Sequence, residues 1–188
     1  MKKNDLILVI DMQNVYLPGE EWACPTAKEA ARNICRLLDA EPAEHVIFTR
    51  FTAPDPAVGT WKDYNTANAA INASTYLNDM MEELKPYLTK YPLYDKATYT
   101  SGRVPEVIEK MQQADRVVLT GVVADCCVLA TMMDLIDQGC KVVYLKDCIS
   151  GSTKENEEAV IRIARTLEPV QTLVMGLEEY LHEAVEKA

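Results

Sequence analysis

The feature that most constrains this chain is an end-to-end alternation of short apolar runs with longer stretches of helical period. Residues 6–10 (Leu-Ile-Leu-Val-Ile) are continuously apolar and stop at Asp11, the pattern of a strand buried on both faces. Positions 27, 30, 31, 34, 37 and 38 then repeat as one helix face does, and Pro42 ends that run. Residues 45–51, 116–121, 141–146 and 170–175 read as further strands. Helical spacing returns at Leu77, Met80, Met81, Leu84 and Leu88, over 104–111, at Val128, Met132, Leu135 and Ile136, at Ala159, Val160, Ile163 and Leu167, and at Leu177, Leu181 and Val185. Gly139 sits where a helix stop belongs. Ser152-Thr-Lys-Glu155 has the spacing of a capping box, so Ser152 is expected to open the helix that follows. Residues 52–74 hold Pro54, Pro56 and Gly59 but no period, and read as a long loop of the kind that often covers a site. No linker or repeat breaks the alternation. The expectation is one α/β domain over residues 1–188: a doubly wound, mostly parallel sheet with helices on both faces.

In such a sheet the binding crevice lies beyond the carboxyl ends of the strands, which turns chain position into a filter for chemistry. Asp11, Arg50, residues 121–127 and Asp147 pass it. Cys24, Cys35 and Cys140 do not, and are read as buried structural thiols.

Charge and composition narrow the partners. Lys plus Arg number 19 against 29 Asp plus Glu, a formal charge of −10, so phosphate surfaces would repel the average face of this protein. Neither nucleic acid nor membrane is an expected partner; a small molecule is. With 48% hydrophobic and 26% charged residues the chain has the balance of an ordinary globular protein. The N-terminal apolar run is too short for a secretory h-region or a membrane span, so a cytoplasmic location with reduced thiols is expected. There are only two His, His45 and His182, against six Cys, and no C-x-x-C pair, which argues against a zinc site.

The segment Gly121-Val-Val-Ala-Asp-Cys-Cys-Val128 runs from a strand into a helix and puts Cys126 and Cys127 near the first helical turn. Unpaired N–H groups and the helix dipole favour a thiolate there, so a lowered thiol pKa is expected. Thiol chemistry also needs a base. His45 begins a strand on the wrong edge and His182 belongs to the terminal helix, which leaves Asp11 and Lys96 as substitutes. An Asp, a Lys and a Cys form a coherent set: the carboxylate accepts the thiol proton while the ammonium steadies the thiolate.

These residues carry a family resemblance. Asp11-Met-Gln-Asn-Val-Tyr16, Lys96 in Lys-Ala-Thr-Tyr-Thr-Ser101, and residues 121–131 with Asp134 following resemble, in the same order, the isochorismatase-like cysteine hydrolases, the superfamily that includes nicotinamidases. The resemblance implies a Rossmann-like three-layer fold, with Cys127, the Cys before the Val of Cys-Val-x-x-Thr, as nucleophile and Asp11 and Lys96 as its partners. It also implies a cis peptide between Val122 and Val123, an oxyanion hole from the N–H groups of Val123 and Cys127, and a homo-oligomer, dimer or tetramer. The implied activity is cleavage of an amide bond in a small carbonyl compound through a thioester.

Nicotinamidases of that superfamily bind a metal through an Asp and several His after strand two. Residues 49–61 here hold Asp55 and no His, so neither metal nor cofactor is expected. Tyr16, Arg50, Phe51, Trp61 and Tyr64 are the candidates for lining the substrate pocket, and an inward Arg50 would suit a carboxylate-bearing substrate. Two alternatives stay open: isochorismatase-type ether hydrolysis, which requires no thiol nucleophile, and a non-catalytic redox-sensing or binding protein that uses Cys126 and Cys127.

Overall fold

The computed structural model describes residues 3–186, so Met1 and Lys2, the charged start of the N-terminal stretch, lie outside the described residues. Six strands, β1 (Lys3–Ile10), β2 (Ala43–Phe51), β3 (Leu93–Lys96), β4 (Arg116–Val122), β5 (Val142–Ser150) and β6 (Thr172–Met175), form one sheet in the order β3-β2-β1-β4-β5-β6. Every neighbouring pair is parallel, so the sheet is wholly rather than mostly parallel. The helices are α1 (Ala27–Asp39), α2 (Trp61–Ala67), α3 (Ala69–Ala73), α4 (Thr75–Asn78), α5 (Pro105–Met111), α6 (Leu129–Asp137), α7 (Lys154–Thr166) and α8 (Leu177–Glu186). No helix of the described residues is long and apolar enough to cross a membrane.

The continuous apolar run of β1 has a simple cause, because successive side chains of a strand leave opposite faces and here both faces are covered. Ile7 and Val9 pack with Ile34 and Leu37 of α1 and Tyr180 of α8, whereas Leu6, Leu8 and Ile10 pack with Val107 of α5, Met132 and Leu135 of α6 and Val160 of α7. Gly139 ends α6 as expected: with φ at +86° it donates to the Ile136 carbonyl, and Cys140 N–H returns to that of Leu135.

Where the observed elements differ from expectation, the reasons are local. Residues 52–74 are not one loop, since they contain α2 and α3. Each is shorter than two turns and α2 buries no residue, so no apolar stripe marks it. The helix expected from Leu77 to Leu88 is split: Ser74 caps the short α4 by accepting the Leu77 N–H, and Pro86 lies inside a separate 3₁₀ stretch, Glu82–Thr89. Strand β3 escaped the sequence pattern because it is a four-residue edge strand without apolar alternation. The N-cap of α7 is Thr153, whose hydroxyl accepts the Asn156 N–H; Ser152 is engaged elsewhere. Of the three thiols read as buried, Cys24 is buried, while Cys35 and Cys140 are half-buried; all six cysteines are free.

The chain order reverses direction between β1 and β4, which leave their carboxyl ends side by side with Ile10 paired to Gly121. A crevice opens at such a point. Gly121 makes the approach achievable: its φ is +104°, and a Cβ there would stand 2.1 Å from the Ile10 carbonyl oxygen.

Candidate active site

Asp11 directly follows β1, with φ at +52° in the left-handed region that Asp tolerates better than most side chains, and it is wholly buried. Its Oδ1 accepts a hydrogen bond from Thr49 Oγ1 at 3.1 Å. Its Oδ2 lies 2.7 Å from Lys96 Nζ and has no hydrogen-bond partner besides that ion pair among the described residues. Lys96 ends β3 and reaches in from the sheet edge, its side chain only 2% exposed. Its ammonium also donates to the Thr98 and Tyr99 carbonyls, each at 2.9 Å. Burial works against the Lys96 charge, but Asp11 and Cys127 outweigh it and hold the ammonium above its ordinary pKa.

Cys127 is carried by a π-turn, Ala124–Val128, between β4 and α6, and it is 2% exposed. The peptide before this turn, Val122–Val123, is cis. The Val123 carbonyl accepts the N–H groups of Cys126 and Val128, on either side of Cys127, at 3.0 and 3.1 Å. A chain of buried hydroxyls fastens the two halves of the site together. Thr131 Oγ1 donates to the Cys127 carbonyl at 2.7 Å and accepts the Ser101 N–H at 2.9 Å, and Ser101 Oγ meets Thr49 Oγ1 at 3.1 Å.

The thiol does not follow the expectation of a lowered pKa. Its hydrogen bond with Cys126, its burial and the Asp11 carboxylate all push Cys127 well above an ordinary thiol, and Lys96 alone opposes them. Desolvation beside a negative charge outweighs the pull of a helix start, so the resting thiol holds its proton. Asp11, Lys96 and Cys127 are thus brought together from the ends of three strands, and no histidine takes part: His45 lies near the start of β2 and His182 in α8.

Above Cys127 opens a cavity of about 500 Å³ whose walls include Tyr16, Trp22, Phe51, Tyr64 and Tyr99. Tyr16 and Tyr64 are thus among the residues around it. Trp61 stands behind, its ring 5.0 Å from that of Tyr64 and 5.2 Å from that of Tyr99, and so braces the wall instead of facing the cavity. Arg50 is not brought to the cavity: its guanidinium is held by Asp95 through two bonds of 2.7 and 3.0 Å, which leaves no inward cation for a carboxylate. Asp147 is likewise absent, because β5 continues to Ser150 and the Asp147 carboxylate accepts the Leu177 N–H at the start of α8.

Sequence reading missed Tyr99, Trp22 and Asp125 in the walls. Phe51, a candidate wall residue in the sequence, ends β2 on the binding edge and lines the cavity. Its place is set by Gln13, whose side chain both accepts from the Phe51 N–H at 2.9 Å and donates to the Phe51 carbonyl at 3.0 Å. Trp22 carries no signal short of the fold. Asp125 accepts the Ser152 N–H and hydroxyl at 2.8 and 2.6 Å and Asn156 at 3.1 Å, which explains why Ser152 is not the α7 cap.

The donor set does not fit a metal: residues 49–61 contain no His, and no cluster of three His, Cys, Asp or Glu among the described residues could hold an ion.

In comparison with known proteins, residues 5–175 match the isochorismatase domain family. No curated protein is matched in sequence. Among solved structures, an isochorismatase family protein from Desulfovibrio vulgaris superposes with a TM-score of 0.82 at 19% identity, covering 98% of this chain and 100% of that one. A cysteine hydrolase from Pseudomonas syringae gives 0.81 at 19%, with 98% and 94% covered, and a pyrazinamidase/nicotinamidase from Streptococcus mutans gives 0.73 at 18%, with 91% and 99% covered.

Proposed function

The chain belongs to the isochorismatase family of hydrolases, and from that premise we propose that it is a metal-independent cysteine amidohydrolase acting on a small carbonyl compound. One observation carries the reading: a dry Asp11–Lys96 ion pair at 2.7 Å beside a buried thiol, at the floor of a 500 Å³ cavity. Because the resting thiol is protonated, attack must release its proton, and Asp11 Oδ2 is the base with no competing hydrogen-bond donor except Lys96.

Cys127 Sγ bonds to the carbonyl carbon as its proton passes to Asp11, and the N–H groups of Val123 and Cys127 receive the oxyanion. The C–N bond then breaks, the amine leaves with the proton from Asp11, and a thioester remains. Water attacks the thioester, giving one proton to Asp11. Collapse releases the acid, and that proton returns to the sulfur. Lys96 keeps its charge throughout and stays paired with the Asp11 carboxylate when that group acts as base.

The test is a hydrolysis screen over small amides, with electrophile labelling of Cys127 read by mass spectrometry. Cys127→Ala is expected to abolish turnover, and Asp11→Asn to lower it by at least 10²-fold, the lower range for a general base. Cys126→Ala is expected to retain most of it. Absence of turnover together with absence of selective Cys127 labelling would overturn the reading. A thiol sensor would instead tolerate Asp11→Asn, and an ether hydrolase would tolerate Cys127→Ala.

A further inference from the structure

The cavity above Cys127 has a charge pattern that thioester chemistry does not require. Glu20, Glu21 and Asp125 line it, and no Lys, Arg or His does so among the described residues. Lys96 lies beneath, committed to Asp11, and Arg50 is held by Asp95. Asp125 is kept ionised by the hydrogen bonds from Ser152 and Asn156, which outweigh its partial burial.

Against this acidic rim stands a continuous arc of aromatic rings. Tyr16 and Trp22 have ring centroids 5.8 Å apart, Trp22 and Tyr64 6.2 Å, Tyr64 and Phe51 6.2 Å, and Phe51 and Tyr99 6.3 Å. The faces of such rings are negative by their quadrupole and attract a cation placed over them. Acidic residues alone would be an ordinary wet surface, and rings alone would take any apolar group. Here both surround one cavity with a nucleophile at its floor.

Building on the hydrolase reading, we infer that the substrate of this site is a small amide carrying a cationic nitrogen, a quaternary ammonium or a protonated amine, seated in the aromatic arc with its carbonyl toward Cys127. A carboxylate-bearing amide would meet three like charges and no counter-ion. A neutral amide would gain contact with the rings but nothing from the rim.

The test uses amides that differ in charge at nearly constant shape: 2-(trimethylammonio)acetamide, its neutral carbon isostere 3,3-dimethylbutanamide, and the anion malonamate. Dissociation constants are measured by calorimetry on the full chain with Cys127→Ala, and ammonia release is measured on the intact protein. The cation is expected to bind at least tenfold more tightly than its isostere, with the anion weakest. The preference should shrink in Trp22→Leu and, without risk to folding, in Glu21→Gln, an exposed position. Equal or better binding of the neutral isostere or the anion, or no binding of the cation, overturns the inference. The two readings separate cleanly. Ammonia released preferentially from neutral or anionic amides keeps the hydrolase and removes the cation site. Tight cation binding with no ammonia release and no Cys127 labelling keeps the cation site and removes the hydrolase.

Discussion

Asp11→Asn tests the ion pair independently of any substrate. Asparagine keeps the shape of Asp11 and tolerates its left-handed backbone, but it removes the carboxylate paired with an ammonium whose side chain is 2% exposed. Breaking a buried pair by deleting one partner costs about 3–5 kcal/mol, since the remaining charge is neither solvated nor paired. Lys96 retains two carbonyl acceptors at 2.9 Å, which favours the lower figure of about 3 kcal/mol. For a chain of this size that corresponds to a fall in Tm of about 6–12 °C.

The pH dependence of stability should also change. In the intact protein the Lys96 pKa is raised, so its contribution is complete below the unfolded value of about 10.4 and is lost only as pH rises through the folded value above that. Between pH 7 and 10 it therefore adds no slope. In Asp11→Asn, burial without a counter-charge lowers the Lys96 pKa, and the unfolded state then binds more protons. Stability should climb with pH, by up to about 1.4 kcal/mol per unit once Lys96 titrates in the folded state. Urea midpoints across pH 7–10 measure this. The double variant Asp11→Asn/Lys96→Met serves as reference, so that cysteine titrations cancel, and it should regain part of the lost stability. A loss below about 1 kcal/mol, or no upward slope relative to the double variant, refutes the claim of a dry, mutually dependent pair.

Three further outcomes follow from the same geometry. Gly121→Ala should cost more than about 4 kcal/mol or prevent folding, because its Cβ would lie 2.1 Å from the Ile10 carbonyl; a soluble variant with near-normal Tm would contradict that packing. Thr131→Val should lose about 1–3 kcal/mol by denaturant titration, as it leaves the buried Ser101 N–H without its acceptor, and should lower kcat by releasing the Cys127 carbonyl. Alkylation of Cys127 by iodoacetamide should still be accelerating above pH 9. Asp11→Asn should shift that profile down, since it removes a charge that raises the thiol pKa and leaves Lys96, which lowers it. A midpoint at or below the ordinary value of about 8.5 in the intact protein would contradict the reading.

The short apolar runs were enough to locate five of the six strands, because a strand buried on both faces is built mostly of apolar side chains. The edge strand β3 and the helices between 60 and 78 escaped, since exposed elements of a few residues need no apolar period to be stable in place. The placement of Asp11 and of Cys127 at the carboxyl ends of strands followed from chain order and parallel topology, while the adjacency of β1 and β4 came only with the structure. Lys96 came from its local motif, and only the structure gives its route to Asp11 across the end of β2.

What the sequence determined by itself is the set of chemistry-bearing groups and the sheet edge they occupy, because the alternation of strand and helix and their burial are written in periodicity. What only the tertiary structure decided is the environment of those groups. The Cys127 pKa rises, against the expectation from its place at a helix start, first through its hydrogen bond with neighbouring Cys126 and then through burial and Asp11, which residues distant in sequence bring about. Arg50 turns to Asp95, and the cavity is walled by rings drawn from positions 16 to 99, linked only when the chain folds. Electrostatics and shape are sums over neighbours in space, and a linear pattern records neighbours in space only where periodicity happens to encode them.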